Sequence, residues 1–591
     1  MSNFNQKWLL LLCLIFLGPL FSVCAQNGKK NVLFVFVDDL NTMIGAYGDN
    51  QAKTPNLDKL ARKSTIFMNA YATAPICGPS RTSILTGKYP TTTKVHENAP
   101  HFRDLPGNRN LVTLPQYFKS KGYVTVSGGK VFHKPRGAGA APNPKSDPQS
   151  WDIQHKGVMG SQAPPRSDRF TRGLNLNQPG IGVFFKQQFD YFPVIKDFTG
   201  RDLPLERTND FKSLDFVAKY IKDKPAGGKP FFAAAGTLRP HMPLYCPKKY
   251  FDMYRLEDIK LPKVGPNSGF NDLADVVVPD NWSALHTEVK NKGQWKNFVR
   301  AYLANITYAD ACVGNLLDAL ENSRHKNNTI IVFMSDHGFH IGQKNFWTKP
   351  TFWEQVAKVP FMIYDPSNPV RKVVRKPVSL VDVYPTLVDL AGLPKKNDVD
   401  GINLKPLINQ PNGSWDRIAL TSRSQNAHTL RDKNFRFIQR KLGNGKTAEE
   451  LYDHRTDPDE WFNLLDRNNR PTKPELQGTL TAFRNKLQRV LTGDYTALGR
   501  GRVASSRSLE VLEINNNIEF KINDTGIYLL NKKKFDSSSQ IMIYNIEGKK
   551  LISNNISEIY ELSMDLQSLS PGVYIAKVKS GNTTETFKFN W

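Results

Sequence analysis

The sequence predicts an α/β unit built on a mixed or parallel sheet covered by helices on both faces, followed by a smaller α+β unit and a terminal β-sandwich. Continuous apolar runs at Asn31 to Val37, Phe231 to Gly236 and Thr329 to Ser335 read as strands buried on both faces. Apolar stripes of helical period at 210–222, 299–321 and 379–391 alternate with them. From about Asp416 the texture changes to shorter alternating segments, and hairpin signals follow a basic Gly/Ser-containing linker at Gly499 to Ser508.

The first strand runs into Asp38-Asp39, an acidic pair at a strand end that can cap a helix, pair with arginine, or hold a hard divalent cation. Thr54 to Leu60 reads as a helix start, and Ser64 to Ala70 as a second strand before Cys77-Gly78-Pro79-Ser80-Arg81. A helix beginning after Pro79 would aim free N–H groups at whatever lies beside Cys77, which suits an anion. The ordinary alternative is a buried free cysteine ahead of a proline-initiated helix. Tyr123 to Ser127 is a further strand, after which Lys130 and His133 fall where open parallel sheets place their ligands, although such a pair is commonly surface.

Residues 136–204, rich in Gly, Pro, Asn, Asp and Gln, read as long rim loops. Past the Phe231 strand, Pro240 and Pro243 flank His241 and stiffen its backbone. The Thr329 strand terminates in Asp336-His337-Gly338, where glycine would let the backbone approach a ligand, and Lys349 follows. Val359 to Tyr364 supplies another strand. In the smaller unit, Arg436 to Arg440 and Glu450 to His454 alternate and Thr479 to Leu491 is helical; the terminal sandwich has strand runs at Ile541 to Ile546, Val573 to Val578 and Thr584 to Phe589.

The chain's 591 residues allow two or three domains, and its hydrophobic fraction of 39% argues against overall disorder. Trp8 to Phe21 after Lys7 is too short to span a bilayer comfortably and ends in Val23-Cys24-Ala25, the pattern of a secretory signal peptide over 1–25; bulky Val23 disfavours lipidation at Cys24. A mature chain would retain Cys77, Cys246 and Cys312, so it relies on its core rather than on disulfides, with a Cys246–Cys312 bridge left open. The formal charge of +26 points to an anionic partner such as nucleic acid, an acidic surface or a polyanionic sugar, or else serves solubility alone. No zinc-type cysteine spacing or compact basic helix supports nucleic-acid binding.

The run C-x-P-x-R at Cys77 to Arg81, continued by Thr82-Ser83-Ile84-Leu85-Thr86-Gly87, resembles the core of the type I sulfatases, and Lys130 to His133, Pro240-His241, Asp336-His337 and Lys349 match the iduronate-2-sulfatase-like group over roughly residues 31–465. Arg239 departs from the lysine common there, and the rim loops match poorly. The resemblance implies an alkaline-phosphatase-like catalytic domain over 26–415 and a C-terminal subdomain over 416–497. Pro571-Gly572-Val573-Tyr574 and the closing Thr/Phe/Lys run resemble the sorting domain of the type IX secretion route, placed at 516–591 after a linker at 498–515.

The resemblance also implies that Asp38, Asp39, Asp336 and His337 ring a calcium ion, with Cys77, oxidised to formylglycine by a separate maturation enzyme, as a further ligand and as the nucleophile that attacks sulfur. Arg81 and Lys130 would steady its hydrate. His241 and Lys349 would bind the sulfate and bridging oxygen, with His241 the acid for the departing sugar, and His133 would take a proton from the second hydroxyl to release sulfate. His96, His101 and Arg103 stand as either sugar contacts or ordinary rim residues. The implied activity is hydrolysis of sulfate esters on a polysaccharide such as ulvan, carrageenan, fucan or glycosaminoglycan by an exported protein. Phosphonate or phosphate diester hydrolysis on the same fold, and sugar binding by an inactive site, are the competing expectations.

Overall fold

The computed structural model describes residues 29–133, 147–155, 202–265, 281–499 and most of 512–590. The expected signal peptide, most of the rim stretch at 136–204, the linker core and Pro571-Gly572 lie outside the described residues.

The strands of the main sheet are β1 (Asn31–Val37), β2 (Thr65–Tyr71), β3 (Val124–Gly129), β4 (Ile153–Gln154), β5 (Phe231–Thr237) and β6 (Thr329–Ser335). A short hairpin, β7 (His340–Ile341) with β8 (Trp347–Thr348), precedes β9 (Lys358–Val359), β10 (Phe361–Tyr364) and β11 (Lys372–Ser379), which return to the sheet. Its order is β11-β2-β10-β6-β1-β5-β3-β4, with β9 beside β2. β1, β5, β3, β4 and β6 run parallel, β10 is antiparallel to β6 and β2, and β11 is parallel to β2. The sheet is mixed, one of the two arrangements, mixed or parallel, that the alternating strands and helices predict.

Every residue of β1, β5 and β6 is buried, so both faces need cover. Alternate residues feed two cores. Leu33, Val35 and Val37 join the helices Asn209–Asp223 and Trp295–Glu321, while Val32, Phe34 and Phe36 join Cys77–Thr86 and Val383–Leu390. Val37 is level with Thr237 on one side and Ser335 on the other, so the residues after β1, β5 and β6 leave the sheet along one edge.

The helix carrying the cysteine begins at Cys77 itself rather than after Pro79. Ile76 is extended and caps it, and Pro79 sits in the first turn, where a missing N–H costs no intrahelical bond. All ten residues of that helix are buried. β11 carries no strand signal in the sequence: its Lys372, Arg375 and Lys376 mask a strand whose apolar members Val374 and Val378 face the core.

The smaller unit is the antiparallel meander Ala419–Ser424, Ala427–Arg431, Phe435–Lys441 and Thr447–Asp453, with the helix Gln477–Leu491 packing Leu480, Phe483 and Leu487 on Leu430, Phe437 and Leu451. The terminal unit forms two four-stranded sheets around Ile527, Leu529, Ile541, Ile543, Ala576 and Phe587. Cys246 and Cys312 are free and buried, so no disulfide joins them. No helix among the described residues is long and apolar enough to cross a membrane.

A buried ion-pair network ties the meander to the main sheet. Glu354 meets Arg431 at 3.1 Å, His454 at 3.3 Å and the Tyr71 hydroxyl at 2.9 Å; Glu460 pairs with Arg436 and lies 2.8 Å from His454 Nε2. Burial pushes the Glu460 carboxyl up, but Arg436 and His454 outweigh it and hold it at about 2, below the ordinary 4.5. Burial likewise opposes Glu354, yet Lys358, Arg436, Arg431 and His454 hold it well below its ordinary value. Both folded values are depressed, so this stabilisation is complete above about pH 4.5 and is lost as pH falls towards 2. Glu460→Gln is expected to cost about 2 kcal/mol at neutral pH by removing the nearer carboxylate of Arg436, which keeps only Glu354 at 3.5 Å, and to flatten acid unfolding over that window. An acid titration followed by circular dichroism checks both; an unchanged acid limb would refute the network's role.

Candidate active site

The shared strand edge assembles the site. Asp38 and Asp39 leave β1, the second with a left-handed backbone at φ 60°; Asp336 and His337 leave β6; Arg239 and His241 follow β5; and Lys130 follows β3. Cys77 and Arg81 rise from the buried helix one turn apart, and Lys349 follows the short hairpin.

At the centre lies the Cys77 sulfur, 3.4 Å from Asp38 Oδ1, 3.2 Å from His337 Nε2, 3.2 Å from Lys349 Nζ and 3.7 Å from Lys130 Nζ. Lys349 donates to Asp39 Oδ1 at 2.6 Å, and Lys130 donates to Asp38. The Arg81 guanidinium, fully buried over the Phe36 ring, donates to Asp336 Oδ2 at 2.7 Å and to the Lys130 and Val131 carbonyls, and stands 3.4 Å from Asp38. His241 Nε2 faces Asp39 Oδ2 at 4.0 Å.

These contacts set the charges. Burial and Asp38 push the Cys77 thiol up, but Lys130, Lys349 and His337 outweigh them and draw it below its ordinary value. Burial pushes Asp38 up, and Lys130 and Arg81 overcome this to hold it well down. Asp39 is the opposite case: burial, with Asp38 adding to it, lifts it to about 7 despite Lys349. Burial lowers His337, yet Asp336 carries it to about 9, whereas burial, Lys349 and Lys130 hold His241 well below its usual value.

The donor set fits a hard divalent cation. Two donor groups share Asp38 and Cys77, one completed by Asp39 and His241 and the other by Asp336 and His337, with Asp39 Oδ1 3.4 Å from His337 Nδ1; Asp39 Oδ2 accepts no hydrogen bond from any described residue while buried. A doubly charged cation there would favour the ionised form of Asp39, the carboxylate that burial leaves raised. The other acid/histidine group, Glu354, His454 and Glu460, offers two carboxylates rather than three and, like the first, has cations on them, Arg431 and Arg436.

The structure therefore brings together Asp38, Asp39, Cys77, Arg81, Lys130, His241, Asp336, His337 and Lys349. His133 lies beside them, with Lys130, Asp38 and Arg81 among the charges acting on it, but does not touch Cys77; its buried Nδ1 has no partner among the described residues, and burial pushes the ring down to about 3. One expectation is corrected: Gly338 is required by the chain rather than by a ligand, since an added Cβ would meet the Gln355 carbonyl at 2.1 Å. Of the two alternatives open for Arg103 the structure favours the ordinary one, since its guanidinium is bound to Asp147 at 2.5 and 2.7 Å and to Gln116 at 2.6 Å. His101 packs tilted against the Phe102 ring, and His96 lies in the loop clasped by Arg423, which donates to the His96 carbonyl and pairs with Glu97 at 2.5 Å.

Other positioning groups have no local sequence signal. Asn98 Oδ1 accepts the Gly78 N–H at 2.8 Å, and its Cα would lie 2.9 Å from a Cβ at residue 78, so glycine is needed there. Asp210 accepts the Leu238 and Arg239 N–H groups at 2.8 and 3.1 Å, fixing the turn that carries His241.

Comparison with known proteins agrees with this geometry. The Sulfatase family model matches residues 30–393, an N-sulphoglucosamine sulphohydrolase C-terminal model matches 342–488, and a secretion system C-terminal sorting domain model matches 515–590. A sulfatase of Formosa agariphila is 34% identical over 449 residues, covering 74% of this chain and 83% of its own. Human iduronate 2-sulfatase is 32% identical, covering 64% of this chain and 74% of its own. A solved structure in complex with its substrate D-glucosamine-2-N,6-O-disulfate superposes with TM-score 0.58 at 21% identity, covering 80% of this chain and 99% of that one, a likeness that shows the fold. The sorting domain marks the chain for export by the type IX route. With its family model spanning the whole sheet and its site at the expected strand edge, this chain belongs to the sulfatase family and is a sulfuric ester hydrolase.

Proposed function

We propose that this exported sulfatase hydrolyses sulfate esters on a sulfated polysaccharide or its oligosaccharides, with Cys77 matured to formylglycine and calcium held by Asp38, Asp39, Asp336 and His337. The observation that carries the reading is Cys77 at the start of a buried helix, within 3.7 Å of two lysines, an aspartate and a histidine. A matured residue 77 supplies a hydrated aldehyde as nucleophile, a chemistry a thiol lacks. Bound calcium supplies Lewis-acid polarisation of a sulfate oxygen.

The chain's own residues do the rest. Arg81 holds Asp336 and Asp38 apart in fixed orientations and, with Lys130, steadies the residue 77 side chain. Lys130 and Lys349 place two positive charges where the sulfate's oxygens sit, which offsets charge without reorganisation. His241, on the turn pinned by Asp210, delivers a proton to the bridging oxygen as the sugar departs; the ester's negative charge opposes the pull of Lys349 and Lys130 that keeps the free ring neutral. His133, neutral and with Nδ1 unpartnered among the described residues, accepts a proton from the residue 77 hydroxyl when sulfate is released.

Residues 1–25 are a signal peptide, 26–415 the catalytic domain, 416–497 its subdomain, 498–515 a linker and 516–591 the sorting domain, in keeping with export and with maturation by a formylglycine-generating enzyme. Sulfate released from a panel of defined sulfated oligosaccharides tests the reading, with an aryl phosphonate ester as comparison; preference for the phosphonate would overturn it. His241→Ala is expected to slow sugar sulfates by about a hundred- to a thousandfold and nitrophenyl sulfate far less, because a phenolate leaves without a proton. Equal losses on both would remove His241 from the acid role.

A further inference from the structure

The catalytic cluster does not account for a formal charge of +26, since its lysines and arginine are paired with aspartates. A second concentration of cations lies at the other end of the same strands. A cavity of about 600 Å³ is walled by Asn31 at the start of β1, Pro230 just before β5 and Asn328 just before β6. β1 runs seven residues from there to Asp38, so the cavity and the catalytic edge are about 20 Å apart.

Lys29, Lys224, Lys229 and Arg324 line the cavity, and no Asp or Glu does. Among the described residues, none of the four pairs with a carboxylate, whereas the adjacent Lys30 is neutralised by Asp365 at 2.7 Å. Lys224 lies over the Tyr220 ring at 5.8 Å, and its partial burial pushes its pKa down, a cost that an incoming anion would remove. The turn Ala226-Gly227-Gly228 is exposed and carries no bulk over the opening, a Cβ on Gly227 meeting nothing within 4 Å, so its backbone is approachable. Cations without a carboxylate partner, of which Lys29 is held by the Lys121 carbonyl at 2.8 Å, together with an approachable backbone and no competing acid suit a dispersed oxyanion with several acceptor oxygens.

We propose that this recess is a non-catalytic holding site for sulfate groups on a stretch of glycan remote from the ester being cut. It rests on the reading that the substrate is a sulfated polysaccharide. Such a site would keep the enzyme on a polyanionic chain between turnovers, raising the local concentration of esters at the catalytic edge.

The full-length Cys77→Ala protein separates binding from turnover. Its affinity for carrageenan, for chemically desulfated carrageenan and for RNA is measured over a salt series, alone and with Lys224→Ala/Lys229→Ala/Arg324→Ala added. The triple change is expected to weaken carrageenan binding about tenfold and to reduce the slope of log affinity against log salt by about 2, the loss of roughly three ion contacts. A control removing the exposed Lys433, Lys446 and Lys473 carries the same charge change and should have little effect, while Lys224→Arg/Lys229→Arg should retain binding if charge, rather than folding, is what matters. Equal loss in the control, equal binding of desulfated carrageenan, or tighter binding of RNA would each overturn the proposal. With Cys77 restored, turnover of nitrophenyl sulfate should be the same with and without the triple change. If that substrate is not turned over at all, the sulfatase reading fails, while the holding site still stands or falls on the salt series alone.

Discussion

Cys77→Ala is expected to lower sulfate-ester turnover by at least about ten-thousandfold, with little change in stability. The first half follows from the proposed role of the side chain: Lys130, Lys349, His337 and Asp38 all converge on its sulfur, so on that reading its loss removes the attacking group rather than one of several that assist. Removing a nucleophile from such a unit costs about as much as removing the unit, leaving only what binding and fixed charges contribute. The second half follows from the cluster's balance. Alanine leaves Arg81 on Asp336, Lys130 on Asp38 and Lys349 on Asp39, so no buried charge is stranded. Steady-state rates together with a melting curve check both halves. A variant retaining more than about a hundredth of the activity would mean that another group attacks sulfur.

Removal of divalent cation with a chelator is expected to abolish turnover and lower the melting temperature, and added calcium to restore both. Asp38, Asp39 and Asp336 are buried in two overlapping donor groups that share Asp38, and Asp39 is raised to about 7 by burial and by Asp38. A ligand that binds only the folded chain at a hundredfold excess over its dissociation constant stabilises it by about 2.7 kcal/mol. Asp39→Asn keeps the shape and removes the charge, so it should lose most activity and most of the calcium-dependent rise in melting temperature. Scanning calorimetry with and without calcium makes the measurement, and an Asp39→Asn protein stabilised as much as the parent would exclude Asp39 from the ligand set.

The parts of this molecule that the sequence makes legible are those governed by periodicity along the chain. β1, β5 and β6 are apolar at every position because both faces are covered, and their parallel register carries Asp38, Arg239 and Asp336 to one edge. Cys77 and Arg81 are four apart on a helix and therefore share a face. What is not legible depends on pairings between distant segments. β11 looks polar because it lies at the end of the sheet, and the start of the Cys77 helix is decided by the extended backbone of Ile76 rather than by Pro79. Asn98, Asp210 and the Arg423–Glu97 clasp act through backbone N–H groups or through a partner from another unit, which leaves no local pattern. Arg103 shows the converse, a cation in a suggestive loop whose guanidinium is consumed by Asp147.

Mass spectrometry of the peptide containing residue 77, from active protein made in its native host, bears most directly on the chemistry. An aldehyde or its hydrate in place of the thiol, in proportion to specific activity, is the predicted result. Full turnover by protein whose residue 77 is entirely cysteine would contradict it.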